Sequence, residues 1–186
     1  MKQTVRIIGG QFRGKKLVFP DIEGLRPTPD RVRETVFNWL MQRIKNAHCL
    51  DAFAGSGALG LEAYSRGAAK VTLIEQSTTA YQYLHKTLME FNSPRLKLLR
   101  MDTRHFLRNT KEQFDIVFLD PPFESQLLEE CLDILSTTSV LASHGLVYTE
   151  SSRILNLDED KWQGLRAKRA GQVFYGLYEK VHKPVP

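Results

Sequence analysis

Two cysteines, Cys49 and Cys131, are the only thiols in this 186-residue chain, and neither falls in a CxxC or Cys/His spacing. That scarcity excludes a disulfide framework and a zinc ribbon, and predicts buried, reduced thiols in a cytoplasmic protein. No apolar run approaches the roughly 18–20 residues of a membrane span, and the start, MKQTVRIIGG, lacks the apolar core of a signal peptide, so no membrane partner is expected. The five histidines show no metal-ligand spacing, so no metal site is expected. Hydrolytic signatures are missing too: there is no G-x-S-x-G and no paired-carboxylate motif. Repeats and low-complexity tracts are also absent. Hydrophobic content of 42% and charged content of 25% suit a soluble globular chain, and the length suits one core with a small appendage.

The net charge of +5 is unevenly placed. Residues 1–33 carry eight basic side chains (Lys2, Arg6, Arg13, Lys15, Lys16, Arg26, Arg31, Arg33) against three acids, which accounts for the whole excess. A basic segment on a neutral body predicts a polyanion contact made by that segment; a solvated surface explains the charge alone about as well.

Residues 5–19, VRIIGGQFRGKKLVF, have the pattern of two short strands around glycine-rich turns. Thr28 is the expected N-cap of a helix with Pro29 at its first position, and Val32, Val36, Phe37, Leu40 and Ile44 recur at helical spacing. Strand and helix then alternate: HCLDAF, KVTLIE, RLKLLRMD, FDIVFLD and GLVYTES are five strands separated by helical segments. WQGLRAKRA and QVFYGLYEKV flank Gly171 as an antiparallel hairpin. The predicted fold is α/β, a doubly wound, mostly parallel, seven-stranded Rossmann-like sheet with a C-terminal antiparallel hairpin and a small N-terminal β-hairpin extension. The domain boundary is expected between residues 27 and 28.

GSGALG, residues 55–60, matches G-x-G-x-x-G between a strand and a helix, where glycines allow a tight turn and free helix N–H groups meet a ligand. Glu75 ends the next strand, where a carboxylate accepts ribose hydroxyls. Asp51, just before the loop, would repel a pyrophosphate but suits an ammonium, and Asp102 ends the third strand, where it suits an adenine amine. For either aspartate alone a helix N-cap is an equally good account. Acids at three neighbouring strand ends favour S-adenosylmethionine over a dinucleotide as cofactor.

LDPPF, residues 119–123, closes the fourth strand. The Asp120 carboxylate and the Pro121 carbonyl are acceptors for the two N–H groups of a planar amine, and prolines 121 and 122 remove competing backbone donors. Phe123 is a candidate platform for a stacked base. The bland account is a strand-ending turn with a core phenylalanine. Arg104 and Arg108 fit a solvated helix face better than a phosphate clamp. In KRAGQVFYGLYEK, edge-strand packing explains the aromatics at least as well as contact with RNA.

RIIGGQFRGKKL, RPTPDRVRETVFNWL, LDAFAGSGALGLEAYSRGA and FDIVFLDPPF together resemble the RsmD-type bacterial ribosomal RNA methyltransferases. The resemblance spans nearly the whole chain; the RPT-DR-RE segment points most specifically to this family. It implies a class I methyltransferase domain that methylates the N2 amine of a guanine in 16S rRNA, and an N-terminal hairpin that helps hold RNA in an assembled or assembling 30S particle. By position it implies cofactor binding by Asp51, Gly55, Gly57, Glu75 and Asp102, with Phe53 and Ser56 in the same loop, and an acceptor site of Asp120, Pro121, Pro122 and Phe123. Arg6, Arg13, Lys15, Lys16, Arg26, Arg31 and Arg33 are the candidate RNA contacts, and Thr28 falls in the same motif as a substrate or structural contact. One departure is Gln76–Ser77, where a second acid after Glu75 is expected. A monomer is expected. Competing readings are an amino-methyltransferase acting on DNA adenine or protein glutamine, a non-catalytic RNA-binding module, and a nicotinamide-binding protein.

Overall fold

The computed structural model describes residues 2–22, 27–123 and 125–181. Two strands, β1 (Lys2–Arg6) and β2 (Lys16–Pro20), pair antiparallel as a hairpin. Helix α1 (Asp30–Trp39) follows. The alternating body is β3 (His48–Asp51), α2 (Ala58–Ser65), β4 (Lys70–Ile74), α3 (Thr78–Phe91), β5 (Leu96–Leu99), α4 (Thr103–Asn109), β6 (Phe114–Leu119), α5 (Leu127–Thr137) and β7 (Leu141–Ser151). Strands β8 (Trp162–Ala170) and β9 (Val173–Lys180) close the chain. The order across the seven-stranded sheet is β5-β4-β3-β6-β7-β9-β8, with β9 antiparallel to both neighbours and the others parallel. The expected doubly wound sheet with a terminal hairpin is therefore present. No helix among the described residues is long and apolar enough to cross a membrane.

Period-two alternation sorts the buried strand residues onto two faces. Cys49, Val71, Leu73, Ile116, Phe118, Leu146 and Tyr148 join one core, with α1, α2 and the N-terminal hairpin; Leu50, Ile74, Val117, Leu119 and Val147 join the other, with α4 and α5. Both cysteines are free and buried, and burial pushes the Cys131 thiol up to about 12. The hairpin is part of the first core. Val5, Ile7, Leu17 and Phe19 are buried in it together with residues of the sheet and of α1 and α2.

Two helix starts follow local rules: Ser77 Oγ accepts the Ala80 N–H at the head of α3, and Asp102 accepts the His105 N–H at the head of α4. The third expectation is corrected. Thr28 does not cap α1, whose N-cap is Pro29 without a side-chain bond. The Thr28 side chain turns instead towards two carboxylates at the carboxyl edge of the sheet, those of Asp120 and Glu150.

Candidate active site

Because β3 to β7 run parallel, Asp51, Glu75, Asp102, Asp120 and Glu150 all lie at one edge of the sheet, at or just past the strands' carboxyl ends. In open α/β sheets that edge is where ligands bind, and β3 and β6 are the adjacent pair at which the strand order reverses.

The glycine loop runs from β3 into α2. Gly57 is the N-cap of α2 with φ +77°, a conformation open to glycine at little cost. Gly60 is needed for closeness: a Cβ there would lie 2.9 Å from both Asp51 Oδ2 and Leu73 Cδ2. Asp51 Oδ2 accepts the Gly60 N–H at 2.8 Å inside the first turn of α2, so Asp51 ties down the helix start without being its N-cap, which is Gly57. The carboxyl is only 2% exposed, and burial, reinforced by the charges of Glu75 and Glu150, pushes its pKa up to about 7. Glu75 bridges the loop, accepting the Gly55 N–H at 2.8 Å and the Ser77 N–H at 2.7 Å, one on each oxygen. Ser56 is buried and its Oγ accepts the Ala58 N–H; Phe53 packs, half-buried, on the second core. Asp102 caps α4 and pairs with Arg104, whose hydrogen bond holds the carboxyl below the usual range. Arg104 also pairs with Glu130, which accounts for it without a phosphate.

Asp120 follows β6 directly, with Pro121 buried and Phe123 exposed at 42%. Beside it lie three side chains, Thr28, Tyr148 and Glu150, that the sequence alone does not join to Asp120. Thr28 Oγ1 is 2.6 Å from Glu150 Oε1 and 3.4 Å from Asp120 Oδ2, and Tyr148 Oη donates to Glu150 Oε1 at 2.9 Å. Thr28, Tyr148 and Glu150 are all buried. Burial, then the charges of Glu150 and Asp51, raises Asp120 well above the ordinary carboxylate range, against the Thr28 hydrogen bond. Burial raises Glu150 as well, against its bonds from Thr28 and Tyr148. Among the described residues no Lys, Arg or His forms an ion pair with Asp51, Glu75, Asp120 or Glu150. A signal for Glu150 was present in VYTE, an acid closing a fifth strand as Asp51 and Asp120 close theirs.

The basic segment divides. Arg6, Arg13, Lys16 and Arg31 are exposed, while Lys15 pairs with Glu90 at 2.8 Å and lies over the Phe91 ring. Arg33 is corrected: it is 0% exposed and no surface contact for RNA. Its guanidinium donates to the Arg6 carbonyl (2.8 Å), the Thr28 carbonyl (3.2 Å) and the carboxylates of Asp30 (2.5 Å) and Glu62 (3.3 Å). That hub joins β1, the Thr28 turn, α1 and α2. Arg26 lies outside the described residues. Arg6, Thr28 and Asp30 line a cavity of about 470 Å³ between β1 and the turn before α1. No group of three or more His, Cys, Asp or Glu side chains among the described residues is arranged to hold a metal.

A family model described as "Conserved hypothetical protein 95" matches residues 5–179. A relative from Escherichia coli (strain K12), called ribosomal RNA small subunit methyltransferase D, is 48% identical over 178 residues, covering 95% of this chain and 90% of its own. The chain belongs to the RsmD-type methyltransferase family. An RsmD-type relative of the same name from Haemophilus influenzae is 43% identical over 183 residues, covering 96% of this chain and 95% of its own. Among solved structures, methyltransferase yhhF of Escherichia coli superposes with a TM-score of 0.87 at 47% identity, over 96% of this chain and 98% of that one.

Proposed function

We propose that this protein transfers a methyl group from S-adenosylmethionine to the exocyclic N2 amine of a guanine in 16S rRNA, acting in the cytoplasm as a monomer on an assembled or assembling 30S subunit. The names of its close relatives support methylation of small-subunit rRNA. The observation that carries the amine reading is Asp120 and Pro121 beside the glycine loop, with Phe123 exposed next to them.

The pocket's residues fit the cofactor: four acids without an ion-pairing cation surround a glycine-lined helix start, which suits a ligand bearing an ammonium and a sulfonium. When bound, the cofactor supplies a methyl group on a good leaving group. Asp51 is placed to hold the ammonium. Glu75 keeps lone pairs for the ribose hydroxyls after accepting two backbone N–H groups, and Asp102 is the acceptor for the adenine amine.

The amine lone pair is delocalised into the guanine ring. Asp120 and the Pro121 carbonyl accept its two N–H groups and draw the nitrogen towards tetrahedral geometry, freeing the lone pair. Forming the N–C bond, with the donor's sulfur–methyl bond breaking, would turn –NH2 into –NH–CH3 and release one proton, which the Asp120 carboxylate would accept. Phe123 stacks on a base presented out of its helix, a contact worth roughly 1–3 kcal/mol. Arg6, Arg13, Lys16 and Arg31 meet phosphates on the hairpin side.

Mapping methylated nucleotides in rRNA from cells with and without this protein tests the assignment: one small-subunit guanine should lose its N2 methyl. A missing mark on adenine or on a protein glutamine would redirect it. Asp120→Ala should lower turnover about 100-fold or more, the scale of losing one preorganised polar group, while calorimetry shows S-adenosylhomocysteine still bound. Unchanged turnover would remove Asp120 from the acceptor site.

A further inference from the structure

Asp120 is one of a pair. Glu150, near the end of the neighbouring strand β7, falls on the same sheet face, and the Thr28 hydroxyl lies between the two carboxyls. The groups facing the pair can be named from each direction: Asp51 from β3, Tyr148 from β7 with Tyr175 of β9 beyond it, and Thr28 from the turn before α1. The Arg33 guanidinium reaches this turn only at the Thr28 carbonyl.

Hydrogen bonding within the cluster can be counted. Thr28 has one hydroxyl proton and two carboxyl neighbours. If that proton goes to Glu150, the contact with Asp120 is a hydrogen bond only when Asp120 itself is protonated. If Glu150 is protonated, it donates to Thr28 and Thr28 donates to Asp120. Satisfying every contact therefore requires one proton on the pair, and two like charges this close favour the same. Only the second arrangement leaves Asp120 an ionised carboxylate, the stronger acceptor for an amine and a base for its proton.

We propose that Glu150, acting through the Thr28 hydroxyl, is a positioning residue that keeps Asp120 in its accepting form by holding the proton the two carboxyls share. This rests on the amine-methylation reading of Asp120. The proton freed at the substrate nitrogen goes to Asp120, making the pair doubly protonated, and half-exposed Asp120 returns it to water before the next turnover. The same hydrogen bond fixes the direction in which the Asp120 carboxylate faces.

The test is the pH dependence of single-turnover methyl transfer to small-subunit rRNA, together with carboxyl titration of Asp120 by carbon-13 NMR in the free protein. A glutamine at 150 imitates a permanently protonated glutamate. Glu150→Ala should lower the rate at least tenfold; Glu150→Gln should recover most of that loss and keep the acid limb where wild type has it, because Glu150 is already uncharged when Asp120 loses or gains its proton. Burial still holds Asp120 above the ordinary range. Thr28→Val should lower the rate and move the acid limb upward, and Thr28→Ser should restore both. A Glu150→Gln acid limb moved to lower pH, as a charged Glu150 beside a protonated Asp120 would give, or wild-type titration in Thr28→Val, overturns the proposal. Should wild type methylate no RNA, the functional reading fails by itself. The NMR titration then still decides the pairing: Asp120 should titrate in Glu150→Gln as it does in wild type, and an Asp120 moved to lower pH overturns it.

Discussion

Asp51 is a carboxylate with almost no access to water, held by backbone N–H groups and facing other acids. Its pKa, raised from 3.8 to about 7, makes it a stability liability with a defined sign. An acid that binds its proton more tightly folded than unfolded stabilises the fold at low pH, and that contribution is lost as pH rises through the window between the two values. Asp51→Asn should thus match wild type near pH 4 and become more stable than it by an amount on the order of a few kcal/mol above pH 7. Urea denaturation of the cofactor-free protein across that range measures the gap, and a gap independent of pH would count against the shift. The same substitution should weaken S-adenosylmethionine binding. At this scale the sequence was legible where an acid closes an apolar strand, as Asp51, Glu75, Asp102 and Asp120 do. Arg33 was misread because a basic residue beside a basic run looks like surface. Its partner Glu62 sits on a helix 29 residues away, and only the folded chain shows the two charges buried together.

Among the elements, the N-terminal hairpin is seated on the end of α2. Gln11 N–H donates to the Ser65 carbonyl, Phe12 N–H to Ser65 Oγ, Ser65 Oγ–H to the Gly9 carbonyl and Ile8 N–H to Glu62. Gly10 makes this approach possible: at φ +76°, a Cβ would lie 2.0 Å from the Ser65 carbonyl oxygen. Gly14 has a similar φ, +87°, with nothing within 4 Å. Gly14→Ala should therefore cost about 1 kcal/mol, for backbone strain alone, and Gly10→Ala at least about 2–3 kcal/mol, because backbone must move. Thermal unfolding of the two variants makes the comparison; equal losses would mean that the hairpin is not seated as described. The sheet itself was legible, since alternation, glycine turns and caps are local signals, and β3 to β9 fall where they indicate. The start of α1 was not. An N-cap rule looks a few residues ahead, whereas the groups that take the Thr28 hydroxyl lie 92 and 122 residues away.

Over the whole molecule, charge separates two kinds of basic residue. On the proposed reading the exposed Arg6, Arg13, Lys16 and Arg31 meet RNA phosphates, so affinity for small-subunit rRNA should fall with salt, and neutralising each should lower the slope of log K against log salt by about 0.7–0.9. Arg33→Met should leave that slope alone and destabilise the fold by roughly 3–5 kcal/mol, by stranding the Glu62 charge. Equilibrium binding across a salt series separates them; a reduced slope for Arg33→Met would return that residue to the RNA face. The Thr28–Glu150 contact has a further consequence in time. Chains are synthesised from the N-terminus, so Thr28 emerges first and the acid it bonds is made 122 residues later. A nascent chain can form the glycine loop and even expose DPPF, yet it lacks the other half of the Asp120 pair until β7 has been made and inserted. On the proposed reading, competence to accept a base thus arrives late in synthesis, and a truncated product ending before β7 would hold the motif without the carboxyl that Thr28 bonds.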